Sequence, residues 1–240
     1  MALIAGDAFV RNLKDVPVNL DGSLAEWKGV VPLKVYDGAK LAADVYLGWK
    51  PDGLYAAFDV NTAMPWKNGS AFDMAFNGGA AVGLNAGPLE PERKKGGTGD
   101  ARYIAAPLDG KAEVAEFLVK LAEGASGVER ASRTYRTDAQ GDNVLDRVAL
   151  LDPNSAAAQV KPDGKGYIVE MHVPLRAPLK LESGRRFRFD ATVILSDPAG
   201  ARAMLRLPWY STSGDDMFVA TDVVIESTLR PGNWGAAELE

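Results

Sequence analysis

The sequence predicts an all-β protein, a two-sheet antiparallel β-sandwich of jelly-roll type. Three observations carry that expectation. The apolar runs are short and punctuated by Gly, Pro, Asn and Asp, and few stretches keep a long amphipathic helical period. The number of such runs suits two packed sheets. With 240 residues and 47% hydrophobic side chains, the chain can bury enough apolar surface to offset its conformational entropy. All-β sandwiches of this length commonly form one domain, here residues 1–240.

The first strands are expected at Val31 to Tyr36, Ala42 to Trp49 and Leu54 to Val60, the last two separated by the turn Pro51-Asp52-Gly53. Trp49 ends its strand just before that turn, which makes it a core or hairpin anchor. Ala71 to Phe76, Ala80 to Leu84 and Arg102 to Ala106 follow as strands. Between the last two, Pro88 to Gly99 reads as an exposed connection, because a charged stretch from Glu90 to Lys95 runs into glycines. Glu113 to Leu121 is ambiguous: Val114, Phe117, Leu118 and Leu121 share a helical face, whereas Ala115, Phe117, Val119 and Leu121 share a strand face. Its strand-like surroundings favour a strand. Ala156 to Val160, Tyr167 to Val173, Arg186 to Ser196, Ala201 to Leu207 and Met217 to Glu226 complete the set. No fixed-period repeat is visible.

Composition excludes several functions. A net charge of -5 and a pI near 5.1 argue against nucleic acid as a partner, since neutralising phosphates needs a basic face. The local cluster Arg185-Arg186-Phe187-Arg188 is expected at a solvated strand edge, with neighbouring side chains on opposite faces. Without cysteine there is no disulfide framework, thiolate metal site or cysteine nucleophile. No apolar run is long enough to span a bilayer, and Met1-Ala2-Leu3-Ile4-Ala5-Gly6-Asp7 lacks the basic start of a signal peptide. The closing Leu239-Glu240 has the look of a cloning scar. His172, the single histidine, excludes a multi-histidine zinc site and is expected to be structural. There is no Gly-x-Ser-x-Gly elbow and no phosphate-cradling P-loop, and no catalytic pair of carboxylates can be placed from sequence. No catalytic constellation is legible, and the residues alone leave open whether the chain is an enzyme.

Two runs launched from Gly turns are the most informative motifs: Gly53-Leu54-Tyr55-Ala56-Ala57-Phe58-Asp59-Val60 and Gly166-Tyr167-Ile168-Val169-Glu170-Met171-His172-Val173-Pro174. They stand in order with an opening Leu20-Asp21-Gly22-Ser23-Leu24-Ala25-Glu26-Trp27, a late turn Ser196-Asp197-Pro198-Ala199-Gly200 followed by Arg202, Arg206 and Trp209, and a closing Asn233-Trp234-Gly235. In this order the segments resemble the signatures of family 9 carbohydrate-binding modules and their DOMON-like relatives. The resemblance covers nearly the whole chain. It implies a β-sandwich that binds a poly- or oligosaccharide without catalysis, exported to the extracellular space or periplasm and compatible with fusion to further domains. One departure concerns the site: many relatives carry Gly-Asp and then a Glu on the next strand, whereas this chain has Asn68-Gly69-Ser70-Ala71-Phe72-Asp73, where Asp73 alone could supply the carboxylate.

Sugars offer apolar C–H faces and hydroxyl edges, so their sites combine flat aromatics with hydrogen-bonding side chains. Among five tryptophans, Trp66 lies in a turn-rich loop and Trp209 adjoins Tyr210. The resemblance makes them the two walls of a sugar clamp, while Trp27, Trp49 and Trp234 read as structural. Arg102 offers a planar fork to adjacent hydroxyls, and Arg206 and Tyr210 complete the expected ligand set. Asp215, Asp216 and Asp222 are candidates for a structural calcium ion, although they lack a recognised loop spacing. An alternative implied by the DOMON-like relatives is a haem-binding electron-transfer domain, with His172, Met74, Met171, Met204 and Met217 as available side chains.

Overall fold

The computed structural model describes residues 7–87, 89, 94–137, 141–210 and 227–240. The chain runs through β1 (Asp7–Asn12), β2 (Leu33–Asp37), β3 (Lys40–Lys50), β4 (Gly53–Asn61), β5 (Gly79–Leu84), β6 (Ala101–Leu108), β7 (Lys111–Leu118) and β8 (Arg133–Thr137). It continues through β9 (Gly141–Leu145), β10 (Arg147–Leu150), β11 (Ala156–Val160), β12 (Gly166–Val173), β13 (Arg186–Ser196), β14 (Ala203–Pro208) and β15 (Gly235–Leu239). The expected all-β class is what the chain adopts. The expected strand from Met217 to Glu226 lies outside the described residues.

One long sheet curls over to make both layers. The first layer is ordered β10-β7-β6-β5-β13-β15, with β14 continuing along the same edge of β13 as β15. The second is β3-β4-β12-β11, with β2 on β3. β1 joins them: Asp7 to Val10 pair in parallel with β15, and Arg11 and Asn12 pair in parallel with Gly48 and Trp49 of β3. The hairpin β8-β9 stands apart as a second small sheet.

Strand alternation decides what faces the core. Leu54, Ala56, Phe58 and Val60 of β4 point between the layers, against Val82, Tyr103, Phe189 and Val193 from the first layer. Burying a side chain the size of Phe58 stabilises the fold by about 1.5–3 kcal/mol. The opposite face of β4 is also covered, because Tyr55 and Ala57 pack with Leu13, Trp27 and Val30 from the segment that precedes β2. A strand buried on both faces reads as a continuous apolar run, which is why it stood out in the sequence. Glu113 to Leu121 resolves as the strand β7, with Phe117 facing outward and Leu118 inward.

Two expectations change. Ala71 to Phe76 is not a strand: Phe72–Asn77 forms a 3-10 helix, in which Met74 N–H donates to Ala71 O at 2.9 Å. Its carbonyls are satisfied by side chains instead of a neighbouring strand, with Asn68 Nδ2 donating to Ala75 O at 2.9 Å and Tyr135 Oη to Asp73 O at 2.7 Å. The apolar alternation of this segment serves a different contact, since Phe76 packs on Phe117 with ring centroids 4.6 Å apart. The arginine cluster is not at a solvated edge either. Arg186 and Arg188 sit on β13, flanked by β5, β14 and β15, and are half-buried. Arg186 pairs with Asp7 and Glu238, while Arg188 donates to Trp234 O and Leu89 O at 3.0 Å each.

Candidate functional site

The motifs that suggested a family are joined by a buried carboxylate. Glu170 on β12, wholly buried, accepts hydrogen bonds from Trp27 Nε1 at 2.8 Å, Asp21 N at 2.9 Å and Gly22 N at 2.8 Å. This clamps the opening Asp-Gly turn and its tryptophan onto the outside of the second layer. Burial, reinforced by nearby Glu26, holds the carboxyl above its ordinary value despite the three donors. Trp27, Trp49 and Trp234 are all buried, as expected of structural residues.

Three of the expected ligand residues gather on the outer face of the first layer. Register puts Arg102 of β6 opposite Gly83 of β5, and Gly83 opposite Asp190 of β13. Beyond β14, the Tyr210 amide donates to Asp190 Oδ1 at 3.1 Å. The row therefore runs Arg102, Gly83, Asp190, Tyr210, with neighbouring strands roughly 4.8 Å apart. Gly83 is needed because the Trp234 indole lies on it: a Cβ there would sit 2.8 Å from Trp234 Cζ2. Arg206 shares this face but is buried, opposite Ile194 and donating from Nη2 to Phe76 O at 3.0 Å. Thr192 donates to Asp190 Oδ2 at 3.1 Å, which fixes that carboxylate between a hydroxyl and an amide.

The two tryptophans of the expected clamp occupy different places. Trp66 lines a groove of about 490 Å³ at the mouth of the sandwich, with Lys67, Pro107, Lys111, Ala158 and Ala199 among its neighbours. Its ring rests on Tyr167 at 4.9 Å, and burial pushes the Tyr167 phenol well up. The loop that carries it is pinned to the β13-β14 turn, where Gly69 N donates to Gly200 O at 2.7 Å. Gly200 takes a φ of 76°, and a Cβ on it would meet Gly69 N at 2.8 Å. Trp209 instead points inward from the end of β14, its amide on Ala191 O at 2.7 Å and its ring 6.1 Å from Phe189. Lys67 O lies beside Gly78 and Ser196, and from Ser196 to Ala191 is five residues of β13, roughly 16 Å at strand rise. The Trp66 ring rests on Tyr167 of the second layer and the Trp209 ring on Phe189 of the first, and both pack against the same core between the layers.

Asp73 is engaged in an ion pair with Arg133 of β8. The calcium candidates Asp215, Asp216 and Asp222 lie outside the described residues, as does Met217. Among the described residues, no group of three or more His, Asp or Glu side chains converges as a cation site. Of the side chains considered for haem, Met171 is fully buried in the core while His172 lies on the opposite face, its ring 4.6 Å from Tyr55 and its Nε2 3.3 Å from Asp52 O. These two therefore cannot hold one group between them. Burial and the hydrogen bond to Asp52 push the Tyr55 phenol up to about 12.

Sequence reasoning missed Asp190. It sits in an apolar run with nothing local to mark it, and only cross-strand register puts it between Arg102 and Tyr210.

No family model matches the chain, and no curated protein matches it in sequence. Solved structures do. A carbohydrate binding module family 9 from Caldicellulosiruptor kristjanssonii in complex with cellotriose is similar with a TM-score of 0.57 and 15% identity, over 98% of this chain and 93% of that one. A family 9 module from the same organism in complex with glucose gives a TM-score of 0.55 at 15% identity, over 98% and 95% of the two chains. At this identity the likeness shows the fold: the sandwich is of the type found in family 9 modules.

Proposed function

We propose that this chain is a non-catalytic module that binds a poly- or oligosaccharide through aromatic stacking and polar contacts. The observation that carries the reading is the whole-length likeness of its sandwich to modules solved with cellotriose and with glucose. A shared scaffold can host unrelated sites, so the side chains must also suit the ligand. They do so on two surfaces. Trp66 offers a partly exposed ring backed by Tyr167, with the cations of Lys67 and Lys111 beside it. On the outer face of the first layer, Arg102 and the exposed Tyr210 stand at the two ends of the row through Gly83 and the buried Asp190, and offer donors and an aromatic ring to sugar hydroxyls and C–H faces. Trp209 backs Tyr210, ring centroids 5.7 Å apart, and Arg206 lies beneath the same face. A module of this kind suits an exported protein, outside the cell or in the periplasm, and suits fusion to an enzyme that acts on the same polysaccharide.

The test is a glycan array followed by calorimetry on the hits, with Arg102→Ala and Trp66→Ala beside the wild type. Binding that both variants weaken supports the assignment. A folded protein that binds no glycan on the array contradicts it. Release of reducing ends that disappears on mutation of one Asp or Glu would instead make the protein a hydrolase.

A further inference from the structure

We infer that a second saccharide unit binds on the outside of the first layer, in the cleft between β1, the end of β15 and the segment from Gly29 to Leu33. The cleft has a volume of about 570 Å³. Ala8 and Val10 of β1 face the core, so Asp7, Phe9 and Arg11 alternate outward into it. Glu238 of β15 stands directly opposite Phe9 in the parallel register. Val30, Val31, Pro32 and Leu33 form the facing wall.

The chemistry of the lining selects the ligand. Phe9 is 48% exposed and Val31 85%, so an aromatic ring and an aliphatic wall are both open to solvent. A pyranose can lay its C–H face on the Phe9 ring while its hydroxyls donate to the carboxylates on either side. Those carboxylates are held in advance: Arg186 Nη2 lies 3.2 Å from Asp7 Oδ2, and Arg186 Nε 3.6 Å from Glu238 Oε2. Asp7, Glu238 and Glu240 outnumber Arg11 and Arg186 around the cleft, which favours a neutral or amino sugar over a uronic acid. A purely apolar partner would leave this ring of carboxylates to be desolvated without donors. Arg186 is four residues from Asp190, roughly 13 Å along β13, so the cleft is a separate contact from the row around Asp190.

This inference takes its ligand class from the proposed function, and the test separates the two. Amide chemical shifts are followed by NMR during titration with glucose, glucosamine and glucuronic acid, on the wild type, Phe9→Ala and Glu238→Gln. Both side chains point outward, so both variants are expected to fold. Glucose or glucosamine should shift the amides of Phe9, Val31 and Glu238, glucuronic acid should not, and Phe9→Ala should weaken the response roughly three- to tenfold. Shifts confined to the surroundings of Trp66 or Tyr210 overturn the second site and leave saccharide binding standing. Shifts at the cleft that neither variant weakens, or that glucuronic acid produces equally, overturn the site as drawn. No shift with any of the three sugars overturns the second site, while saccharide binding itself stands or falls on the glycan array.

Discussion

Removing the Glu116 carboxylate should cost this fold more than any surface substitution. Glu116 on β7 is wholly buried between the layers and gathers four donors. Tyr103 Oη lies at 3.1 Å, Arg147 Nε at 2.8 Å, and Arg176 Nε and Nη2 at 2.6 and 2.9 Å. The donors come from β6, from β10 and from the segment after β12, so one side chain ties the two layers together along their open side. Both arginine side chains are only 17% exposed. Glu116→Ala leaves two guanidinium groups largely out of water with no anion, and breaking a buried pair from one side costs about 3–5 kcal/mol. At about 2–4 °C per kcal/mol for a chain of this size, the melting temperature should fall by roughly 6–20 °C. Urea unfolding at neutral pH, read by tryptophan fluorescence, gives the free energy, and a thermal melt gives the shift. Glu116→Gln keeps an acceptor and should fall between. A loss below about 1 kcal/mol in the Ala variant would show that water solvates the arginines and that the network does not hold the layers together.

Glu170 should make stability depend on pH. Its folded pKa is raised above 4.5, so the native state holds this proton more tightly than the unfolded chain, and its contribution is present at low pH and lost as pH rises through the carboxylate range. Urea midpoints measured across that range should therefore fall in the wild type relative to Glu170→Gln, and a relative rise would reverse the sign argued here. Gly83→Ala should destabilise by about 1–3 kcal/mol, because the new methyl meets the Trp234 indole at 2.8 Å; an unchanged melting temperature would mean that the indole moves aside freely. Trp66→Ala should reduce saccharide affinity by about 1 kcal/mol in calorimetry while the protein stays folded. Trp49→Ala, which empties a buried core position, should instead lower stability by roughly 3–5 kcal/mol in denaturant titration.

The strands legible in the sequence were those whose pattern is local. β4 and β12 are apolar runs launched from turns, and the β13-β14 hairpin is marked by Asp197-Pro198-Ala199-Gly200. β1 and β15 were not legible, since Asp7-Ala8-Phe9-Val10-Arg11-Asn12 and Gly235-Ala236-Ala237-Glu238-Leu239 are short, and their parallel pairing joins the two ends of the chain. Phe72–Asn77 misled because its alternation suits a strand, while its carbonyls are met by side chains instead of a neighbouring strand, Asn68 from the loop just before it and Tyr135 from β8. For the site, residue type picked out Arg102, Tyr210 and Trp66. It could not show that Arg102 and Tyr210 share a row through Gly83 and Asp190, nor that the Trp66 ring rests on Tyr167 of the second layer and the Trp209 ring on Phe189 of the first. Those relations depend on register, which no single segment encodes.

The most direct test of the central claim is calorimetric titration of the wild-type chain with cellotriose, after circular dichroism and a cooperative melt have established that the sample is folded. A saturable binding heat, reduced by Trp66→Ala or Arg102→Ala at unchanged melting temperature, is the expected result, and the same comparison applies to any stronger ligand from the glycan array. A folded chain with no saturable binding to cellotriose or to any arrayed glycan would contradict carbohydrate recognition and leave only the shared sandwich.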